Sequence, residues 1–218
     1  MKVTAFITIR LNSQRLPNKN ILDLGGCPLS WYCCDHLLKC RNIDDIYIYC
    51  SDEKIMEYVP QDRRLKFLQR EKWLDGDQIR AQDTYTAFVN DVDADIYVAG
   101  LTTAPFVRPE TYENAIAKVI SGEYDSAFAA RREQSFAWYQ GKPLNYDPAL
   151  IARTQDLDPV FVETSGFFVF TRELWKEHKR RVGFSPYLCE VDQMEGIDID
   201  TQEDFVMASR LIKEIGAV

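Results

Sequence analysis

The sequence predicts an α/β domain built on a mostly parallel, doubly wound sheet. Short apolar runs rich in β-branched and aromatic residues alternate with longer segments whose apolar residues have helical spacing. Repeated strand–helix units of this kind favour parallel strands with helices on both faces of the sheet. A chain of 218 residues, 46% of them hydrophobic, can form a substantial core. We therefore expect a single domain over residues 1–218.

The first half of the chain predicts four strands and two helices. Residues 2–9 are an apolar run that predicts a first strand rather than a signal peptide, and the polar loop 10–20 follows. Pro28 is typical of a helix start, so residues 28–40 predict a helix. The remaining elements are expected, in order, at 46–50 (strand), 66–69 (strand), 77–92 (helix) and 95–101 (strand).

The second half contains one break in this alternation. Residues 134–160 include Trp, Gly and Pro residues without a helical period, which predicts an extended excursion with hairpin character. The elements around it are, in order, a helix from Pro109, a strand at 126–130, a long strand at 161–170, a helix at 172–181, a mainly irregular segment at 183–200 and a helix from about Thr201.

Charge and cysteine content exclude several classes of protein. A net charge of −8 disfavours general nucleic-acid binding, although local Arg and Lys residues can still bind an anionic nucleotide. No apolar stretch reaches the length of a membrane span. The six cysteines match neither a zinc pattern nor a disulfide framework, which is typical of a reducing compartment. We expect a soluble, cytoplasmic protein that binds neither nucleic acid nor membrane.

The loop after the first strand carries the strongest chemical signal. It contains Arg10, Asn12, Ser13, Lys19 and Asn20 in the stretch RLNSQRLPNKN. Ligands of such sheets bind beyond the carboxyl ends of the strands, where Arg and Lys can neutralise phosphates and the small side chains can donate hydrogen bonds. The loop has neither a dinucleotide fingerprint nor a Walker sequence. On composition alone, an ordinary basic surface loop is an equal alternative.

A second signal lies near the C-terminus, in the stretch GIDIDTQED. On a strand, the spacing of Asp198 and Asp200 directs both carboxylates to one face. Mg²⁺ is their natural partner, because it prefers hard oxygen ligands and substrate phosphates. The alternative is that one aspartate caps the next helix and the other is solvated. Thr201 and Asp204 have the spacing of a helix capping box.

Together these two segments resemble the CMP-sialic-acid synthetase (acylneuraminate cytidylyltransferase) family, which is related to the Kdo cytidylyltransferases. The first is similar to the family's R-x-N-S-x-x-L-P-x-K-N signature and the second to its I-D-I-D-T-x-x-D motif. The resemblance implies a Rossmann-like nucleotidyltransferase fold, with a small dimerisation insertion at about 134–165, and a homodimer. It also implies a reaction: CMP is transferred from CTP to an acidic, sialic-acid-like sugar (an ulosonic acid), and pyrophosphate is released.

The resemblance further implies roles for individual residues. Arg10, Lys19 and Asp200 are the expected catalytic residues, and Asp198 and Asp200 the expected ligands of Mg²⁺. For Asp83 a helix cap, and for Arg70 a plain surface position, are strong alternatives. The nucleotide-binding positions carried over are Arg10, Asn12, Ser13, Lys19, Asn20, Arg70, Asp83 and Thr84.

The acceptor half departs from the family pattern. Leu101 stands where the family has a Gln, Ser165 stands where it has an Asn, and neither supplies an amide. Arg153 is the candidate for binding a substrate carboxylate, with a surface arginine as the alternative. The substrate-binding positions carried over are Leu101, Thr102, Thr103, Arg153, Gln155 and Ser165.

Two other classes of function stay open. One is a related nucleotidyltransferase that acts on Kdo or on a non-sugar acceptor such as a phosphonate, which the change at Leu101 allows. The other is a non-catalytic, nucleotide-binding dimeric scaffold, against which the retained aspartates and the Arg–Lys loop argue. The aromatic residues Trp138, Tyr139 and Tyr146 suit a dimer interface, although packing onto their own domain is the alternative.

Overall fold

A computed structural model describes residues 1–11 and 13–215 and shows a mixed α/β chain around one large sheet. Five α-helices lie in the described residues: α1 Leu29–Lys39, α2 Ala81–Asp91, α3 Pro109–Ile120, α4 Arg172–His178 and α5 Gln202–Ile215. The strands are β1 Val3–Thr8, β2 Asp23–Leu24, β3 Cys27–Pro28, β4 Asp45–Cys50, β5 Leu65–Gln69, β6 Ile96–Gly100, β7 Ser126–Glu133, β8 Trp138–Tyr139, β9 Lys142–Pro143, β10 Val160–Thr171 and β11 Pro186–Val191.

The large sheet has seven strands in the order β11-β7-β10-β6-β1-β4-β5. β1 pairs in parallel with both β4 and β6, β4 with β5, and β11 with β7. β10 runs antiparallel to its two neighbours, β6 and β7. The parallel strands therefore end at the same edge of the sheet, and the expected mostly parallel, doubly wound fold is confirmed.

Helices cover both faces of this sheet, because alternate residues of each central strand point to opposite sides. Phe6 of β1 stacks on Phe88 of α2 in a cluster that also contains Trp175 of α4. The neighbouring residues of β1, Ala5 and Ile7, pack in a second cluster with residues of α1 and α3. α5 lies on that second side, in a smaller cluster with the start of α1. Thus α2 and α4 form one helical layer, and α1, α3 and α5 form the other.

One expected irregular segment contains a strand. Residues 183–200 were predicted to be mainly loop, but Pro186–Val191 forms β11 at the edge of the sheet. Cys189 and Val191 are buried, whereas Leu188 is 37% exposed. An apolar side chain on the open side of an edge strand removes the alternation of apolar and polar residues that predicts a strand, so the sequence did not indicate β11, while the rest of 183–200 is irregular as expected.

The predicted excursion is present as an extended segment between β7 and β10. β8 and β9 form a two-stranded hairpin within it, as its composition indicated. Gln140 and Gly141, which connect the two strands, both have positive φ, at 51° and 76°, and a left-handed backbone favours glycine.

The cysteines and the helices can be compared with two further expectations, namely reduced thiols and the lack of a membrane span. All six cysteines are free, and burial raises the pKa of Cys33 to about 12, so this thiol is packed in the core and unreactive. Within residues 1–11 and 13–215, no helix combines the length and the apolar character that crossing a bilayer requires.

Candidate active site

A cleft of about 450 Å³ opens at the edge of the sheet where β1, β5 and β6 end. The loops after the first and fourth predicted strands and the segment before Thr201 meet here. A further wall comes from the segment after β5. The lining residues are Thr8, Arg10, Ser13, Gln14, Arg15, Leu16, Lys19, Asn20, Arg70, Leu74, Ile79, Arg80, Ala81, Thr84, Leu101, Thr102, Thr103 and Asp200.

The charge of this lining is opposite to that of the chain. It contains five cationic residues, Arg10, Arg15, Lys19, Arg70 and Arg80, and one carboxylate, Asp200, in a chain whose net charge is −8. A concave surface with one sign of charge focuses its field and attracts ions of the other sign. The cleft is therefore suited to a strongly anionic ligand.

Lys19 joins the loop after β1 to the C-terminal motif. Its ammonium group, 9% exposed as a residue, donates to the carbonyl of Ile199 at 2.8 Å and to Oδ1 of Asp200 at 3.0 Å. The loop turns into this position at Asn18, which has φ of 57° and precedes a short 3-10 turn. Asparagine tolerates this left-handed conformation better than most residues.

Asn20 joins the same loop to the loop after β6. Its side-chain amide donates to the carbonyl of Arg10 at 2.7 Å and accepts from the hydroxyl of Thr102 at 2.6 Å. Both Asn20 and Thr102 are buried. Their hydrogen bonds fix the backbone of Arg10 against the end of β6 and hold the cleft in shape.

Arg70 is the most deeply buried cation of the lining, at 2% exposure. It donates to the carbonyl of Ile9 at 2.9 Å, forms an ion pair with Asp75, and lies 5.8 Å from the ring of Tyr49. A buried guanidinium needs such partners, because an unpaired buried charge is costly. Arg70 therefore lines the wall after β5, and its expected alternative, a plain surface position, is wrong.

The two C-terminal aspartates do not lie on a strand, contrary to expectation. Residues 197–200 are irregular and connect β11 to α5. Asp200 lines the cleft and pairs with Arg15 at 2.6 Å and with Lys19 at 3.0 Å. Asp198 is not part of the lining, and its Oδ1 is buried without a hydrogen-bond partner in the described chain. The two carboxylates thus have different surroundings, because the backbone lacks the alternation that a strand would impose.

Asp200 owes its position to the start of α5. The carboxylate of Asp204 accepts from the backbone N–H groups of Asp200 at 3.0 Å and Thr201 at 2.8 Å, and Thr201 Oγ1 accepts from the backbone of Asp204 at 3.2 Å. The backbone hydrogen bond from Thr201 is the main reason that the pKa of Asp204 is lowered. This arrangement confirms the predicted capping box.

The C-terminal motif offers Mg²⁺ two carboxylates, of which only that of Asp200 lines the cleft. Mg²⁺ usually takes one or two protein carboxylates and completes its shell with water and substrate phosphates. Asp198 and Asp200 are the two carboxylates, and the buried oxygen of Asp198 lacks a partner. The described residues contain no group of three or more His, Cys, Asp or Glu residues arranged for a metal. Binding would therefore depend on oxygens from the substrate.

The expected nucleotide-binding residues mostly gather in the cleft. Ser13 and Thr84 line it together with Arg10, Lys19, Asn20 and Arg70. Asp83 lies outside the lining, and its carboxylate accepts a hydrogen bond from the backbone N–H of Arg80 at 3.0 Å. It therefore caps α2, which was the alternative to nucleotide binding. Asn12 lies outside the described residues.

The expected acceptor-binding residues divide into two groups. Leu101, Thr102 and Thr103 line the cleft. The other three, Arg153, Gln155 and Ser165, are not among the lining residues: Arg153 and Gln155 are exposed in the excursion, and Ser165 lies in β10. Arg153 makes two hydrogen bonds to Asp156, at 2.7 and 3.0 Å. Within one chain, Arg153 is therefore paired with Asp156 and lies outside the cleft in which the sequence suggested a role for it.

The sequence suggested no role for several lining residues, chiefly Arg80, whereas Arg15 belongs to the loop whose arginines and lysine were expected to neutralise phosphates. Arg80 was missed because the helix was expected to start at residue 77, which placed Arg80 inside it. The structure begins α2 at Ala81 and makes Arg80 its N-cap. Ser, Thr, Asp and Asn mark a helix start, and an arginine gives no such signal.

A comparison with known families decides the class of the protein. Residues 4–212 match the model of a family described as cytidylyltransferase. The chain belongs to this family. The expected enzyme class, a nucleotidyltransferase, is thereby confirmed at the level of the family.

The individual relatives that match this chain are distant, and their names refer to different acids. N-acylneuraminate cytidylyltransferase of Streptococcus agalactiae is 23% identical over 94% of this chain and 52% of its own length, so the chain spans about half of that relative. Pseudaminic acid cytidylyltransferase of Campylobacter jejuni is 25% identical over 98% of this chain and 97% of its own. The 3-deoxy-manno-octulosonate cytidylyltransferase of Acaryochloris marina is 23% identical over 98% of both chains.

Solved structures support the fold. A CMP:2-keto-3-deoxy-manno-octonic acid synthetase complexed with CTP superposes with a TM-score of 0.77 at 16% identity, covering 99% of this chain and 100% of that one. A 4-diphosphocytidyl-2C-methyl-D-erythritol synthase from Anaerococcus prevotii superposes with a TM-score of 0.69 at 11% identity, covering 97% and 96%. The expected Rossmann-like nucleotidyltransferase fold is confirmed.

The cationic loop after β1 generates a first prediction. Arg10→Ala and Lys19→Ala should each weaken CTP binding or slow turnover by about ten- to a hundredfold, since a lost charge-assisted hydrogen bond costs about 1.5–3 kcal/mol. Calorimetry with CTP and steady-state kinetics measure the two effects. Arg41→Ala removes a guanidinium that is 92% exposed outside the cleft and should leave both unchanged. Normal affinity and normal turnover in both cleft variants would show that loop 10–20 does not bind the phosphates.

Proposed function

We propose that this chain transfers CMP from CTP to the anomeric hydroxyl of an acidic sugar and releases pyrophosphate. One observation carries the proposal. This chain, which belongs to the cytidylyltransferase family, has five cationic residues and one carboxylate around a cleft at the carboxyl ends of its parallel strands. A nucleoside triphosphate and an acidic acceptor are both anions, and a lining of this charge offsets the repulsion between them.

The transfer is an in-line substitution at phosphorus. An oxygen lone pair of the anomeric hydroxyl forms a bond to the α-phosphorus of CTP, the bond to pyrophosphate breaks, and the hydroxyl proton is lost. Charge neutralisation and alignment provide most of the catalysis in such reactions. Arg10 and Lys19 are suited to hold the phosphates. Asp200, the one carboxylate of the described lining, is our candidate to accept the proton.

Asp198 and Asp200 would hold Mg²⁺, which when bound supplies positive charge to the phosphate oxygens. The support is their oxygen chemistry and the unpartnered oxygen of Asp198. In the structure Arg15 and Lys19 neutralise Asp200. The carboxylate is thus held in place by cations that lie on the loop expected to bind the phosphates.

The metal proposal makes a second prediction. Asp200→Asn should remove most activity and leave the fold intact, because an amide is a poor ligand for a hard cation. Pyrophosphate release and circular dichroism measure the two properties, with EDTA as a parallel treatment. Asp156→Asn makes the same change in an exposed ion pair outside the cleft and serves as the control. Full activity of Asp200→Asn, or activity that EDTA does not reduce, would contradict the proposal.

The acceptor is proposed to be a deoxygenated nine-carbon ulosonic acid of the legionaminic or pseudaminic type. Leu101 lies in the cleft and presents an apolar side chain there, so it supplies no amide to a polar group of the acceptor. A relative that matches nearly its whole length is named for pseudaminic acid. Kdo, for which another relative is named, and a phosphonate are the second candidates.

A matrix of substrates tests both the reaction and the acceptor. Pyrophosphate release should require CTP among the four nucleoside triphosphates. The kcat/KM for legionaminic or pseudaminic acid should exceed that for N-acetylneuraminic acid and Kdo, because specificity is a ratio of such constants. A clear preference for N-acetylneuraminic acid would show that Leu101 does not set the choice. Nucleotide binding without pyrophosphate release from any pair would favour the scaffold alternative.

We further propose that two copies of the chain pair through the excursion. Trp138, Tyr139, Leu150 and Ile151 are 59%, 65%, 69% and 96% exposed there. Large apolar side chains gathered on one exposed segment are typical of protein interfaces. Phe136 and Trp138 pack on Tyr146 within the segment, so these contacts order it and leave its outer side open for a second copy.

Sedimentation tests the dimer with a matched pair of tryptophans. The chain should sediment as a dimer at micromolar concentration, and Trp138→Glu should shift it towards the monomer. Trp73 is 60% exposed outside the excursion, so Trp73→Glu makes an equivalent change and should leave the dimer intact. A monomeric wild-type chain, or equal effects of the two variants, would contradict the proposed interface.

A further inference from the structure

Two of the five cations in the cleft lack an acceptor within the part of the chain that the structure describes. Arg15 and Lys19 pair with Asp200, and Arg70 pairs with Asp75. The side chains of Arg10 and Arg80 are exposed, and neither forms a hydrogen bond or an ion pair with the residues that the structure describes. Arg10 belongs to the loop assigned to the triphosphate. Arg80 has no assignment, and its guanidinium is available to a ligand.

Arg80 lies across the strand ends from the residues assigned to the phosphates. It is the N-cap of α2, whose residues pack on Phe6 and Phe168 in one helical layer. Asp200 is separated only by Thr201 from α5, which lies in the other layer, and Lys19 donates a hydrogen bond to Asp200. The cleft is thus bounded by cations on two sides, and Arg80 is the unpaired one on the side away from Asp200.

A cation at such a place suits the chemistry of an ulosonic acid. Its carboxylate is attached to the anomeric carbon, next to the hydroxyl that attacks phosphorus. Attack therefore brings a second anion close to the α-phosphate, on the side opposite the leaving pyrophosphate. A guanidinium can grip a carboxylate through two parallel hydrogen bonds and remains charged at every relevant pH, so it lowers this repulsion and orients the acceptor.

We infer that Arg80 binds the carboxylate of the acidic acceptor. This inference rests on the proposed function. Arg80 takes the role that the sequence suggested for Arg153. Arg153 is 73% exposed, is paired with Asp156 and does not line the cleft. The backbone of Arg80 exchanges hydrogen bonds with Asp83, at 3.0 Å in both directions. These bonds fix the base of the side chain at the entrance of α2.

The test compares an acid with its neutral analogue in variants of both arginines. Four acids are first compared with the wild-type chain: N-acetylneuraminic acid, Kdo, legionaminic acid and pseudaminic acid. The acid that is used most rapidly is the first probe, and its C1 carboxamide, which is neutral, is the second. Arg80→Ala, Arg80→Lys and Arg153→Ala are compared with the wild-type chain. For each, kcat/KM is measured with both probes, and CTP affinity is measured by calorimetry. Alanine keeps the backbone bonds to Asp83, so α2 should stay intact, which circular dichroism checks.

The expected result is a loss confined to the acid. Arg80→Ala should lower kcat/KM for the acid by about ten- to a hundredfold, chiefly through KM, with CTP affinity unchanged. The wild-type chain should prefer the acid over the carboxamide, and Arg80→Ala should treat them alike. Arg80→Lys should recover part of the preference, since it keeps the charge without the planar fork. Arg153→Ala should behave as the wild-type chain.

Three results would overturn the role of Arg80 and leave the proposed function standing. An equal loss of CTP affinity in Arg80→Ala would make Arg80 a nucleotide contact, and an undiminished preference of that variant for the acid would show that Arg80 does not bind the carboxylate. A larger acid-specific loss in Arg153→Ala would place the arginine of a second copy in the site. A wild-type chain that transfers CMP to none of the four acids contradicts the proposed function itself.

Discussion

A buried ammonium group connects parts of the chain that are 180 residues apart. Lys19 follows the first strand, and its Nζ donates to the carbonyl of Ile199 and the carboxylate of Asp200. Taking a lysine out of water is costly unless acceptors replace the water, so the loop after β1 and the segment before α5 are held together. The outer wall of the cleft depends on this contact. Asn20, the next residue, provides the matching link to the loop after β6.

The cations of the cleft fall into two groups: those that are paired with protein acceptors and support the structure, and those that are open to a ligand. Arg70 is neutralised by Asp75 and supported by the carbonyl of Ile9, so its first effect is to hold the wall after β5 in place. Arg10 and Arg80 are left to attract ligand charge. The arrangement explains how a chain of net charge −8 can offer an anion-binding surface: its acidic residues outnumber its basic ones overall, but only Asp200 lines the described cleft.

The sequence was informative wherever one segment determined its own structure. The strand that ends before Arg10 and the cap formed by Thr201 and Asp204 follow from local patterns, and both are present. It misled where a tertiary contact overrode the pattern. Alternation of aspartates suggested a strand at 198–200, but no neighbouring strand pairs with this segment, and its backbone hydrogen bonds go to Thr103 and Asp204 instead. The lining role of Arg80 depends on where α2 begins, which an arginine does not reveal.

The cleft is lined both by the first turn of α2 and by Asp200, which lies close to the start of α5 in the other helical layer, and this has a consequence for how the protein responds to heat. A molecule that contacts the first turn of α2 and the residues before α5 at the same time binds only the folded chain, because unfolding separates these segments. Such a ligand shifts the folding equilibrium by mass action, by about 2.7 kcal/mol at a hundredfold excess over its dissociation constant. The melting temperature of this chain therefore reports on occupancy of the cleft, and candidate acids and nucleotides can be ranked without observing any chemical step.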